Sequence, residues 1–267
     1  MSAFWGVARY EYRMAVGRWG MWIAFAIAAV PYLLPAATDP IELGANGAMP
    51  AGTMWAFAGS TVLQLNLLMP IIGGIIMADR LPRDWRLGTR ELLSSTPLGR
   101  RAYVLGKYAG VVAAAVTPIL VTIGLVATIL SARGLAAGVS PAGLAVMVGG
   151  LLAGFLAITV PAYLFIGAFS LACPAVLPVR VYQVLYVGYW FWGNFLNPKV
   201  IPTLAGSLLT PSGEYAAAGF FAAAKLSGMV SRHTPAEGLL SITVLLACAA
   251  VALFALERYL AWQERTA

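Results

Sequence analysis

The chain has 267 residues, 61% of them hydrophobic and only 10% charged, with a mean hydropathy of +0.83. An ordinary soluble domain of this length needs far more polar surface, so the composition points to an integral membrane protein with little outside the lipid. The net charge of +7 does not imply nucleic acid, because insertion selects Lys and Arg on the cytoplasmic side of a membrane protein. The length leaves no room for a nucleotide-binding or other large catalytic domain beside six membrane helices.

Residues 3–18 form an amphipathic pattern that suits an interfacial helix. Phe4, Trp5, Ala8, Tyr12, Ala15, Val16 and Trp19 share one apolar arc, with Arg9 and Arg13 outside it beside a polar side carrying Glu11 and Arg18. Residues 20–37 read as an uncleaved first membrane helix, since a signal peptide needs no long amphipathic preface. Further spans are expected at 54–77, 103–131, 143–172, 179–196 and 238–256, each with apolar runs near the length a bilayer requires. The length of 143–172 and its Pro161 predict a tilt or kink. Gly106-x-x-x-Gly110 and Gly150-x-x-x-Gly154 predict close helix packing. None of the six spans carries an Asp, Glu, Lys, Arg or His at its middle.

Between the second and third spans lies a charged island with seven of the seventeen Lys and Arg residues: Arg80, Arg83, Arg86, Arg90, Arg100, Arg101 and Lys107. It predicts a short amphipathic helix over Trp85–Leu93, a break at Ser94-Ser95-Thr96 and a new helix start at Pro97. With both termini inside, thirteen basic residues fall on the cytoplasmic face, against Arg133, Lys199, Lys225 and Arg232 outside. In the outer segment 197–237, Thr210-Pro211 reads as a helix start. The residues after it fit an outer helix dipping into the membrane; a seventh span there would strand Arg258 and Arg265 on the wrong side.

Catalytic constellations are absent. The single histidine, His233, is expected to be solvated in the outer loop; Cys173 and Cys248 read as small packing residues. No phosphate-binding loop is present, as Gly106-Lys107 is followed by Tyr108. The chain is therefore read as a non-enzyme, with no metal and no cofactor of its own. The polar groups inside the spans are neutral: Ser60, Gln64 and Asn66 in the second, and Gln183, Tyr186, Trp190 and Asn194 along one face of the fifth. They suit interhelical hydrogen bonding or a neutral, aromatic-edged path for an amphipathic substrate.

The ordered series Asp79-Arg80, Gly88-Thr89, Glu91, Leu92-Leu93, Ser95, Pro97 and Gly106-Lys107 resembles the inner loop of permease subunits of the ABC-2 family, the type V ABC exporters. The resemblance extends over the whole chain as a single all-α domain: interfacial helix, six membrane helices, coupling helix between the second and third, outer helical element between the fifth and sixth. The longer spacing from Leu81 to Leu87 departs from many members. The resemblance implies that the 79–102 loop docks on a separately encoded ABC ATPase, which binds the ATP and Mg. Contacts are expected from Arg83, Asp84, Arg86, Gly88, Thr89 and Glu91, with Trp85 and Leu87 as apolar anchors. A second permease chain, identical or homologous, completes the assembly, and Ser60, Gln64, Gln183, Tyr186, Trp190 and Asn194 face the pathway. Such a subunit sits in a bacterial inner membrane with both termini cytoplasmic and exports a lipid, peptide or antibiotic. The alternative is a non-transporting adaptor that recruits a cytoplasmic partner.

Overall fold

A computed structural model of the chain describes residues 3–39, 50–86, 88, 99–196, 200–223 and 231–266. These residues fold into a bundle of helices: α1 (Ala3–Val16), α2 (Trp19–Thr38), α3 (Ala51–Ala78), α4 (Arg80–Arg86), α5 (Arg100–Ala136), α6 (Pro141–Gly154), α7 (Val160–Ala172), α8 (Val179–Asn194), α9 (Glu214–Phe221) and α10 (Pro235–Thr266). Five segments are long and apolar enough to cross a membrane: α2, α3 with α4, α5, the α6–α7 rod and α10. The expected fifth span is shorter than the others. α8 has 16 residues, about 24 Å at 1.5 Å per residue, less than the roughly 20 residues of a full crossing.

The interruption predicted near Pro161 is a π turn at Phe155–Thr159, closed by Val160 N–H donating to the Phe155 carbonyl. Proline cannot donate to the helix ladder, and the wider turn immediately before it absorbs the mismatch. The two glycine pairs pack as expected. A Cβ on Gly150 would lie 2.8 Å from the Ala58 Cβ of α3, and one on Gly106 would lie 2.8 Å from the Phe4 carbonyl oxygen of α1.

α1 and α2 together run alongside α5 in the same direction. Gly106 meets Phe4 and Val7, Gly110 meets Ala8 and Glu11, and the Thr117 hydroxyl is 3.3 Å from that of Tyr12. Farther along, Arg133 Nη1 donates to the Ala36 carbonyl at 2.6 Å. Glu11, read from the sequence as part of the polar side, is buried instead. The packed stripe of α1 is Ala8, Glu11 and Ala15, whereas Trp5 and Trp19 are exposed. A glycine-lined groove on α5 accepts a narrow stripe of small residues, and Glu11 lies within it.

α4 follows α3 after the single residue Asp79 and ends at Arg86. This places it earlier than the predicted Trp85–Leu93 helix, which is corrected at Gly88, where φ +67° ends the helical path; Leu87, Thr89, Glu91 and the rest of that helix lie outside the described residues. One end of the bundle, the charged end, therefore gathers α1, α4, the start of α5, the α7–α8 turn and the end of α10. Arg100 pairs there with Glu264, and Arg101 with Glu257 at 2.8 Å.

At the far end, residues 203–221 fold back into the bundle. Asn66 Nδ2 donates to the carbonyls of Pro211 (3.1 Å) and Ser212 (2.8 Å). Trp55 donates to the Phe220 carbonyl at 2.9 Å and stacks on Phe221. The helix expected to start at Thr210-Pro211 starts instead at Glu214, because Gly213 turns with φ +86°. It stops at Ala222, φ +52°. Its eight residues rise only about 12 Å, too short for a span. His233 is also corrected: its ring stacks on Tyr215 with centroids 3.8 Å apart and its Nδ1 lies 3.6 Å from Glu237. Thr234 and Glu237 cap α10 reciprocally, Thr234 N–H donating to Glu237 Oε2 at 2.7 Å.

Candidate functional site at the charged end

Local sequence places four ionisable side chains and a tyrosine where α1, α4 and α5 meet. Lys107 sits one residue after Gly106 on the face of α5 that α1 covers. Its ammonium is 1% exposed and donates to Glu11 of α1 and, at 2.8 Å, to Asp84 Oδ2 of α4. The Tyr103 hydroxyl, one turn before Lys107, donates to the same Asp84 oxygen at 2.5 Å. Arg80, at the start of α4, is also 1% exposed. Its three guanidinium nitrogens have no hydrogen-bond partner among the described residues, and the nearby carboxylates of Glu11, Asp79 and Asp84 act on its charge.

Two cations and two anions balance formally, which is the condition for burying charge at all. The arrangement is nevertheless incompletely satisfied, as Glu11 Oε2 also lacks a partner. A half-satisfied buried network is costly in a single static arrangement. It suits a joint whose groups exchange partners when α4 moves.

The residues expected to contact a partner occupy different environments. Asp84 points inward to Lys107 and Tyr103. Trp85 packs against a small apolar cluster of Leu81, Val104, Leu171, Ala175, Leu256 and Leu260. Arg83 is half-buried; Arg86 is exposed and pairs with Asp79. Gly88 has φ +67° with open space around it. Sequence reasoning passed over Glu11, Arg80, Tyr103 and Lys107. A signal was present: Glu11 is flanked by Ala8 and Ala15 at spacings of three and four, and Lys107 adjoins a glycine pair. A charge inside a stripe of small residues is a charge under another helix.

The stripe on the fifth span makes a second feature. Gln183 Nε2 donates to Ile75 O (3.1 Å), Tyr186 OH to Pro70 O (2.7 Å) and Trp190 Nε1 to Leu67 O (2.7 Å). Pro70 has no N–H to offer the Asn66 carbonyl, and α8 adds side-chain donors to the neighbouring Leu67, Pro70 and Ile75 carbonyls. Asn194 instead caps its own helix at the Trp190 carbonyl, 2.9 Å. Ser60 is buried farther along α3 and Gln64 is exposed, so the structure does not bring them to the stripe. Tyr186→Phe removes one hydroxyl while Gly74 still accommodates the ring. It should cost about 1 kcal/mol, read as a small fall in thermal unfolding temperature in detergent; no change would mean the bond is not formed in the membrane.

A helical bundle with several membrane-length apolar segments is the build of a multi-pass membrane protein. Residues 48–210 match the family model described as ABC-2 family transporter protein. As the match covers more than half of the chain, the protein belongs to the ABC-2 family, the membrane components of ABC transporters. No curated protein matches the chain.

Proposed function

We propose that the chain is the membrane permease of an ATP-driven exporter whose ATPase is a separate polypeptide. The observation that carries this reading, beside family membership, is the attachment of α4. It follows the long α3 after one residue and is tied through Asp84 to Lys107 of α5 and hence to Glu11 of α1. A short helix held to three membrane-associated elements is a handle through which force applied outside the lipid can shift the bundle.

In this reading the charged end is cytoplasmic and the loop from Asp79 to 102 docks on the ATPase, which binds ATP and Mg. Arg83 and Arg86, together with Gly88, Thr89 and Glu91, provide the polar contacts. Asp84 and Trp85 hold the handle to the bundle. The α3–α8 seam of Gln183, Tyr186 and Trp190 is the closed pathway, and a second permease chain supplies the opposite wall. Neutral polar groups along that seam favour an amphipathic or lipid-like substrate moved outward.

The test is a mild-detergent purification of the chain from its native membranes, with mass spectrometry and an ATPase assay on the eluate. A near-stoichiometric ATPase is expected, with its recovery reduced at least tenfold (~1.4 kcal/mol) by Arg83→Glu combined with Glu91→Arg. A well-folded complex that contains no ATPase would overturn the reading.

A further inference from the structure

Beside the α3–α8 contact runs a groove bounded by α7, α8 and α10, with a volume of about 350 Å³; Tyr186, which donates to Pro70 of α3, also lines it. Cys173 and Leu177 line its charged end and Leu204 and Leu209 its far end, so it follows the whole of α8. None of its lining residues carries a charge. Leu185, which lines it, is 56% exposed, so it opens sideways, toward lipid in a membrane. Leu177 also lines a second cavity of about 760 Å³, between α4 and the α7–α8 turn, and this one carries Arg86 and Arg180. Arg180 is exposed and makes no ion pair or hydrogen bond among the described residues.

The dimensions select the occupant. A volume of about 350 Å³ spread over a length of about 24 Å gives a mean cross-section on the order of 15 Å². That is the width of one hydrocarbon chain; a helix, 10–12 Å across with its side chains, does not enter. The adjoining chamber is basic, so a molecule filling both has an apolar tail and an anionic head. We propose that the groove and chamber together form a binding site for one anionic phospholipid, its tail along α8 and its phosphate at Arg180, whose charge has no partner among the described residues, whereas Arg86 is paired with Asp79. The site stands whether or not an ATPase partner is found. That the bound lipid marks where an exported substrate enters rests on the permease reading above.

The experiment uses the full chain in uncharged detergent, with phosphatidylglycerol and phosphatidylcholine each carrying a photoactivatable group in one acyl chain. Labelled peptides should come from α8 and α10, with phosphatidylglycerol favoured about five- to tenfold, as expected for a charge-assisted contact. Arg180→Gln should bring phosphatidylglycerol down to the phosphatidylcholine level. Leu185→Trp should reduce labelling by both lipids, and Leu209→Trp, at the other end of the groove, should do the same. Both leucines and Arg180 are exposed, so elution as a single species checks each variant's folding. Labelling spread over the exposed face of α2 without headgroup preference would overturn the proposal. So would a disulfide between two copies carrying Leu185→Cys in protein that takes no label, because a second chain would then close the groove. An absent ATPase leaves all of these readouts intact, so the two readings fail separately.

Discussion

Replacing Lys107 with methionine is expected to destabilise the protein by roughly 3–5 kcal/mol, the cost of leaving a buried carboxylate without its cation. Methionine fills a similar volume, so the loss reports charge rather than a cavity. Lys107 is 1% exposed and serves Glu11 and Asp84 together, so the buried Glu11 has no water to turn to. The measurement is thermal unfolding in detergent, where a fall on the order of 10 °C corresponds to that energy. Lys107→Met with Glu11→Gln should recover part of the loss, since the second change removes one stranded charge. A loss below about 1 kcal/mol would mean that Arg80 takes over both carboxylates and that Lys107 is not the centre of the joint.

The second large effect is steric. Gly110 lies where α1 crosses α5, and a Cβ there would run into the Ala8 carbonyl oxygen and lie 2.8 Å from the Glu11 Cβ. The obstacle is backbone on a packed helix, so rotamer changes cannot relieve it. Gly110→Val should push α1 away, breaking the Glu11–Lys107 pair as well as the packing, at a cost above the usual 1–3 kcal/mol of overpacking. Limited trypsin digestion reads this directly, because Arg9 and Arg13 on α1 are exposed cleavage sites. Cleavage there should accelerate by an order of magnitude or more, each tenfold step matching about 1.4 kcal/mol of opening. Gly124→Ala, on the same helix with nothing within 4 Å, should leave the digestion unchanged. Equal cleavage in the two variants would show that α1 is not held by this contact.

These two expectations isolate what the fold adds to the sequence. The sequence carries both halves of the charged joint, 96 residues apart, but each half has a sufficient local explanation. Glu11 reads as the polar side of an amphipathic helix and Lys107 as one more topology-setting cation. Only the run of α1 along α5 puts them together, and that register depends on glycine contacts between helices. The same limit explains the fifth span. Its spacing displayed a polar, aromatic face but not the partner to which the face was turned. Backbone carbonyls of α3, at Leu67, Pro70 and Ile75, are that partner, and no side-chain pattern encodes them.

What the sequence by itself determined is the membrane character, the helical runs, the two glycine-lined crossings, the break near Pro161 and the kinship of the charged loop with ABC-2 permeases. Each follows from composition, from short-range periodicity or from an ordered local motif, which survive without knowledge of tertiary neighbours. Only the tertiary contacts place the start of α4 at Arg80, bury Glu11 and Arg80, start an eight-residue helix after Gly213, and bring an apolar groove to a basic chamber at Leu177. Those features depend on which helix faces meet, and in a chain apolar on nearly every side the hydrophobic pattern does not choose among faces. Steric fit at glycines and the need to pair buried charge make that choice.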